Sequence, residues 1–145
     1  MTIFVQGCPH HCQGCHNPET HDFDGGYTKD VQTIISCMQY DAAHYLDGIT
    51  ISGGEPFYQA EQCAMIARAA QAMGLNVWCY TGFTFEELLK RTEALELLVE
   101  TDMLVDGRFE IQNRTLDIPF VGSSNQRIID VKKSLEHGCA IQYSM

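Results

Sequence analysis

The apolar positions of the chain alternate between strand-like runs and helix-like spacing. Thr2–Gln6 reads as a short, fully buried strand ending at Gly7, and Ile49–Ser52 as a second, closed by Gly53 and Gly54. Between them, Val31, Ile34, Ile35 and Met38 recur at helical spacing, which predicts a helix capped by Thr28. Gln59–Met73 is Ala-rich and helical, with Gly74 placed to end it, and Leu75–Tyr80 reads as the third strand. Thr84 and Glu87 make a capping-box pattern ahead of Leu88 and Leu89. Ala94–Val99 reads as a further helix and Met103–Asp106 as the fourth strand. The pattern then weakens to a strand near Arg127–Asp130 and a short helix near Val131–His137. Cys8–Tyr27 has no periodicity at all, and a long loop inside a compact domain is unusual unless it has a function.

Alternating strands and helices predict a mostly parallel sheet with right-handed crossovers. Ile51, Trp78 and Val105 are spaced 27 residues apart, about one βα unit each time. The 145 residues are too few for an eight-stranded barrel, which typically needs about 250. The expected fold is therefore α/β, an open partial (β/α) barrel forming a single domain over residues 1–145. In parallel α/β folds the carboxyl ends of the strands share one face, where ligands bind. Cys8, the run Gly53-Gly54-Glu55-Pro56, Thr81-Gly82 and Asp106-Gly107 each follow a predicted strand, so four loops are expected to converge there.

Charge narrows the partners. Nine Lys and Arg against nineteen Asp and Glu give a formal net charge of -10, which disfavours phosphate backbones and anionic membranes. No apolar run is long enough to span a bilayer, and Met1–Gln6 lacks the features of a signal peptide, so the expected location is cytoplasmic, away from membranes and nucleic acid. Seven cysteines are present, three of them within eight residues. Clustered thiols in a reducing compartment are more often metal ligands or redox groups than structural bridges.

Cys8, Cys12 and Cys15 have the spacing C-x3-C-x2-C. Three thiolates on one short loop can hold three corners of a cubane iron–sulfur cluster, which otherwise takes four cysteines. Cys37 lies 22 residues beyond Cys15, so one iron would remain open to a non-protein ligand. The alternative is structural zinc on the same three cysteines with His10, His11 or His16, although zinc sites usually draw on two separated ligand pairs. Cys37, Cys63 and Cys79 read as core thiols, and the three histidines as solvated loop residues.

The cysteine spacing after a strand, followed by Gly53-Gly54-Glu55-Pro56 after the second strand, resembles the radical S-adenosylmethionine superfamily. Cys12–Thr20, Val77–Gly82, Leu104–Phe109 and Gly122–Arg127 further resemble segments of the activating enzymes of anaerobic ribonucleoside-triphosphate reductases. The resemblance spans Cys8 to Arg127. It implies a 4Fe-4S cluster on Cys8, Cys12 and Cys15, and S-adenosylmethionine contacted by Gly53, Gly54, Glu55, Pro56, Thr81 and Asp106. Glu55 would help to hold the ammonium group, and a cation would lie near Asp106 or Asp102. It also implies reductive cleavage of S-adenosylmethionine, fed by a low-potential reductant such as flavodoxin, and a glycyl radical formed on the reductase large subunit. Asn125 and Gln126 are expected at the adenine end or the partner surface. Members usually carry about twenty residues before the first strand, so this fold is expected to be shortened at its N-terminus; Val121 also replaces a frequent Arg. Other readings are a different target, including chemistry like that of 7-carboxy-7-deazaguanine synthase, or a non-catalytic electron carrier or zinc adaptor. Gly122–Arg127 argues against the former and the Gly-Gly-Glu-Pro loop against the latter.

Overall fold

The computed structural model describes residues 1–144. Five strands form one open sheet in the order β1-β2-β3-β4-β5, namely β1 (Thr2–Val5), β2 (Gly48–Gly53), β3 (Asn76–Tyr80), β4 (Met103–Asp106) and β5 (Arg127–Asp130). The first four are parallel and β5 runs antiparallel to β4. The reversal follows from the connection: β4 and β5 are joined by the loop 107–126, which holds only a 3-10 turn and no crossover helix. The sheet does not close, in keeping with a partial barrel.

Strict alternation separates the two faces of the sheet. Ile49, Ile51, Val77, Cys79, Leu104 and Ile129 are all at most 2% exposed and belong to one core cluster. The register sets Ile51 opposite Cys79, and Trp78 opposite Thr50 and Met103. Trp78, 27 residues after Ile51, is one position short of its partner Cys79, so the two residues face opposite ways: Ile51 enters the core whereas Trp78 does not. Trp78, Tyr80 and Ser52 lie on the opposite face.

Helices cover the core face. α1 spans Val31–Ala42, α2 Ala60–Ala72, α3 Phe85–Leu89, α4 Leu95–Leu98 and α5 Val131–His137. In α2, Ala60, Cys63, Ala64, Ala67 and Ala70 are buried at i, i+3, i+4 spacing, and these small side chains let the helix lie close to the sheet and to its neighbours α1 and α4. Larger side chains fill the remaining space: Met38, Phe57, Phe85, Leu88, Leu97 and Leu98 are at most 1% exposed. Truncating one of the leucines to alanine removes about 2–5 kcal/mol of stability. The expected capping box of α3 is present, with the Thr84 side chain accepting from the Glu87 amide and Glu87 from the Thr84 amide.

Three expectations are corrected. The helix α1 is capped by Asp30, whose carboxylate accepts the Gln32 amide at 2.7 Å, and not by Thr28; Asp30 is the residue with extended backbone directly before the first turn. β1 is an edge strand, half-exposed, with Phe4 61% exposed, because among the described residues no strand pairs on its outer side. Cys37 is exposed, because α1 packs mainly against α2 and turns only Ile35 and Met38 fully inward. Cys63 and Cys79 are core thiols, as expected.

Candidate metal and cofactor site

The loop after β1 is closed at its base. Gly7 and Cys8 donate their amides to the Thr20 and His21 carbonyls, and the Gln6 side chain donates to the carbonyls of Glu19 and Asp22. The thirteen-residue loop between Cys8 and Thr20 is thereby tied to the sheet. Within it His11 adopts a left-handed φ of 50°, one of two non-glycine residues to do so among the described residues. Such backbone is uncommon and is held by its surroundings.

The loop after β2 meets it. The Gly54 amide donates to the Val5 carbonyl and the Glu55 amide to the Gly7 carbonyl, both at 2.8 Å. Pairing thus continues past the strand ends and seats the Gly-Gly-Glu-Pro turn against the start of the cysteine loop. Gly53 has φ 99°, and a Cβ there would press on the Val5 backbone; one on Gly54 would collide with the Gly7 carbonyl. Only glycine fits either position.

These loops, with those after β3 and β4, enclose a cavity of about 210 Å3. Cys8, Cys12 and Cys15 line it together with Gly53, Gly54 and Thr81. Each thiol faces a backbone amide: His10 for Cys8, Phe109 for Cys12, and Asn17 for Cys15 at 3.4 Å from Sγ. Burial, the largest influence, pushes the Cys8 and Cys12 thiols up, and neighbouring thiols add to the rise. Without a cation the site therefore favours the protonated thiols, and loading a positively charged group releases those protons.

The donor set suits a cubane cluster. It consists of three soft sulfur ligands around one cavity, with amides placed to hydrogen-bond to sulfur. The other cysteines lie elsewhere: Cys63 and Cys79 are in the core, Cys37 and Cys139 on the surface. Among the described residues no three His, Cys, Asp or Glu side chains close on a point that one ion could occupy. Thiols spread around a cavity fit a four-iron cluster better than a single zinc, whose sulfur ligands all lie about 2.3 Å from one centre.

Glu55, Pro56 and Asp106 do not line the cavity. Glu55 is fully buried, and its carboxylate accepts from the Thr81 hydroxyl (2.8 and 3.0 Å), the Gly82 amide (2.9 Å) and the Phe57 amide (3.0 Å). His10 Nε2 lies 2.7 Å from the same carboxylate. Pro56 is buried as the first residue of a 3-10 turn. Asp106 is 1% exposed; its carboxylate accepts from the Arg127 guanidinium (2.6 and 3.1 Å) and from the Phe85 amide (2.8 Å). Asp106 is thus neither an exposed acidic loop residue nor an unpaired one. Asp102 sits at the other end of β4, accepting from the Val77 amide and the Gln71 side chain, far from the cavity in the fold. Gln126 lines the cavity, whereas Asn125 is exposed and donates to the Arg108 carbonyl.

His10 is the main departure from the sequence reading. Its side chain is 4% exposed, set edge-on to Phe83 at 4.7 Å and packed against Gly82. It joins the cysteine loop to the ends of both β2 and β3. Its partner lies 45 residues away, so no local pattern could have marked it. Phe109 and Arg127 end the segments Leu104–Phe109 and Gly122–Arg127, and only the geometry assigns them partners, Cys12 and Asp106.

A family model described as a 4Fe-4S single cluster domain matches residues 1–129. Among curated relatives, the anaerobic ribonucleoside-triphosphate reductase-activating protein of Vibrio cholerae is 32% identical over 133 residues, covering 88% of this chain and 84% of the relative. The protein of the same name from Enterobacteria phage T4 is 30% identical over 132 residues, covering 88% and 81%. That from Escherichia coli K12 is 30% identical over 131 residues, covering 86% and 84%. With most of both chains aligned, and with the three thiols around one cavity, the chain belongs to the 4Fe-4S single cluster domain family and to its anaerobic ribonucleoside-triphosphate reductase-activating proteins.

Proposed function

We propose that this protein is a radical S-adenosylmethionine activating enzyme, with an open barrel of that superfamily's type, acting on an anaerobic ribonucleoside-triphosphate reductase. The observation that carries the reading is the convergence of three amide-facing thiols with Gly53, Gly54 and Thr81 on one cavity. Cys8, Cys12 and Cys15 would hold the cluster and leave it open to the amino and carboxylate groups of S-adenosylmethionine. When bound there, such a cluster would supply one-electron reduction of the sulfonium, fed by a low-potential reductant such as flavodoxin, so that S-adenosylmethionine would split into methionine and a 5′-deoxyadenosyl radical able to take a hydrogen atom from a glycine Cα of the reductase.

The chain's own residues bind, orient and shield. The amides of His10, Phe109 and Asn17 stabilise charge on the three sulfurs. The bare backbone of Gly53 and Gly54 admits the amino-acid end of the cosubstrate closely, and Thr81 flanks it. Glu55 and Asp106 are positioning residues: their carboxylates are spent on internal donors and hold the loops after β2, β3 and β4 in place. Pro56 starts the 3-10 turn that Glu55 caps by accepting the Phe57 amide. The relatives are named for activating anaerobic ribonucleoside-triphosphate reductase, which favours that target over another glycyl-radical protein.

The test is anaerobic. Reconstituted protein given dithionite and S-adenosylmethionine should release 5′-deoxyadenosine, and adding the purified reductase should produce a glycyl-radical spin signal. Cys12→Ala should abolish both. Cleavage without any radical on the reductase would move the target elsewhere, and a colourless protein holding one zinc would end the reading.

A further inference from the structure

The loop 107–126 behaves differently at its root and at its tip. The root is part of the site: Phe109 presents its amide to Cys12, Ile111 lies over Gly14, and Gly122 and Gln126 line the cavity. The Gln126 side chain fixes this root, accepting from the Gly122 and Ser123 amides and donating to the Gly107 carbonyl. The tip is apolar and uncovered. Leu116 is 89% exposed, Ile118 41% and Phe120 55%. Single exposed apolar residues are ordinary, whereas three within five positions on one loop are a patch.

The tip is nevertheless held in place. Arg114 bridges Ser123, the Thr115 amide donates to the Gly122 carbonyl, and the Ser124 amide to the Asn113 carbonyl. Phe120 has a left-handed φ of 70°, a genuine outlier for a bulky residue. Its carbonyl accepts from the Tyr80 hydroxyl at 2.7 Å, and its ring packs on Trp78 at 4.8 Å. Trp78 and Tyr80 lie on the sheet face that carries no core cluster, the face whose Ser52 and Tyr80 line the cavity and whose Phe4 is exposed. The loop is therefore fastened across the open side of the sheet, with its apolar tip next to the cavity.

We infer that Leu116, Ile118 and Phe120 form the surface on which the glycine-bearing reductase docks. The inference rests on the function proposed above. Hydrogen-atom transfer needs the target carbon within about 3–3.5 Å of the radical carbon, so the partner's backbone must enter the cavity and its host must seat on the rim. Of the other exposed residues on the framing loops, His11, Gln13, Arg108 and Asn125 are polar, while Ile111 at the root and Phe23 and Tyr27 on the segment leading to α1 are apolar. The tip supplies the apolar contact that excludes water from such a seat, and its strained backbone is set before the partner arrives.

The double variant Leu116→Ser/Ile118→Ser tests this in cluster-loaded protein titrated with purified anaerobic reductase. Affinity for the reductase should fall at least about tenfold, with glycyl-radical yield falling alongside. Release of 5′-deoxyadenosine without reductase should stay within about twofold, since neither residue touches the cavity. Unchanged affinity and radical yield would overturn the docking surface, as would a self-associated dimer that the variant dissolves without weakening reductase binding. Hydrogen exchange on the wild-type pair decides independently of any variant. Amides of residues 111–121 should gain protection in the complex, and none gained would refute the inference. Wild-type protein that cleaves no S-adenosylmethionine would instead defeat the functional reading, and exchange would still settle the docking.

Discussion

Two carboxylates are buried at the strand ends framing the cavity, and they are satisfied by different means. Glu55, after β2, is answered by the Thr81 hydroxyl, two backbone amides and His10. Asp106, ending β4, is answered by the two-pronged guanidinium of Arg127, which also reaches Glu86, and by the Phe85 amide. The first network extends into the cysteine loop itself. The second joins β4 to β5 and the start of α3, and meets the site through the neighbouring Gly107 and Gln126. The comparison teaches that a buried charge at this face fastens either the cysteine loop or the sheet, depending on which loop supplies its donors.

The largest effect should come from Glu55→Gln, which turns an amide group toward donors that need an acceptor. Anaerobic denaturant unfolding should show a loss of about 3 kcal/mol. Cluster retention after desalting should also fall about tenfold, the size of a supporting-residue effect at metal sites. Next comes His10→Ala, with a loss of about 2 kcal/mol and a measurable shift in the cluster's reduction potential; His10→Gln should restore part of both. If His10→Ala left potential and iron content untouched, Glu55 would serve only the sheet and the contrast would fail.

Asp106→Asn should cost less, about 1–2 kcal/mol, because the Arg127 side chain is 28% exposed and water can take up part of its charge. Iron content should be unchanged in that variant. The smallest effect belongs to Glu86. Hydrogen bonding to Arg127 holds its carboxyl below the ordinary value of 4.5. A depressed carboxyl stabilises the fold fully above that ordinary value, and the contribution is lost as pH falls through the lower, folded one. Glu86→Gln should therefore flatten the acid limb of a stability–pH curve by a few tenths of a kcal/mol, about the worth of an exposed pair.

Much of this architecture was legible in the sequence, for identifiable reasons. The alternation in Ile49–Ser52 and Leu75–Tyr80 encodes a face directly, and the Thr84/Glu87 box encodes a helix start, because both depend on neighbours in sequence. The convergence of the three cysteines and the glycine pair on one cavity was equally readable, since both stretches follow parallel strands. Features set by distant partners were not. The exposure of β1 depends on what pairs beside it, and the burial of His10 depends on a carboxylate 45 residues away. The role expected of Glu55 shows the same limit: the motif marks the residue, while only packing reveals that its charge faces inward. Likewise, Phe120's left-handed backbone follows from Tyr80 and Trp78, forty or more positions earlier.

The central claim is that Cys8, Cys12 and Cys15 hold a four-iron cluster with one iron open to S-adenosylmethionine. Electron paramagnetic resonance of the reduced, reconstituted protein tests it most directly. The account predicts about four irons per chain, the number in a cubane, and a cluster signal that changes shape when S-adenosylmethionine is added. A signal indifferent to S-adenosylmethionine, with every iron bound by protein side chains, would contradict it.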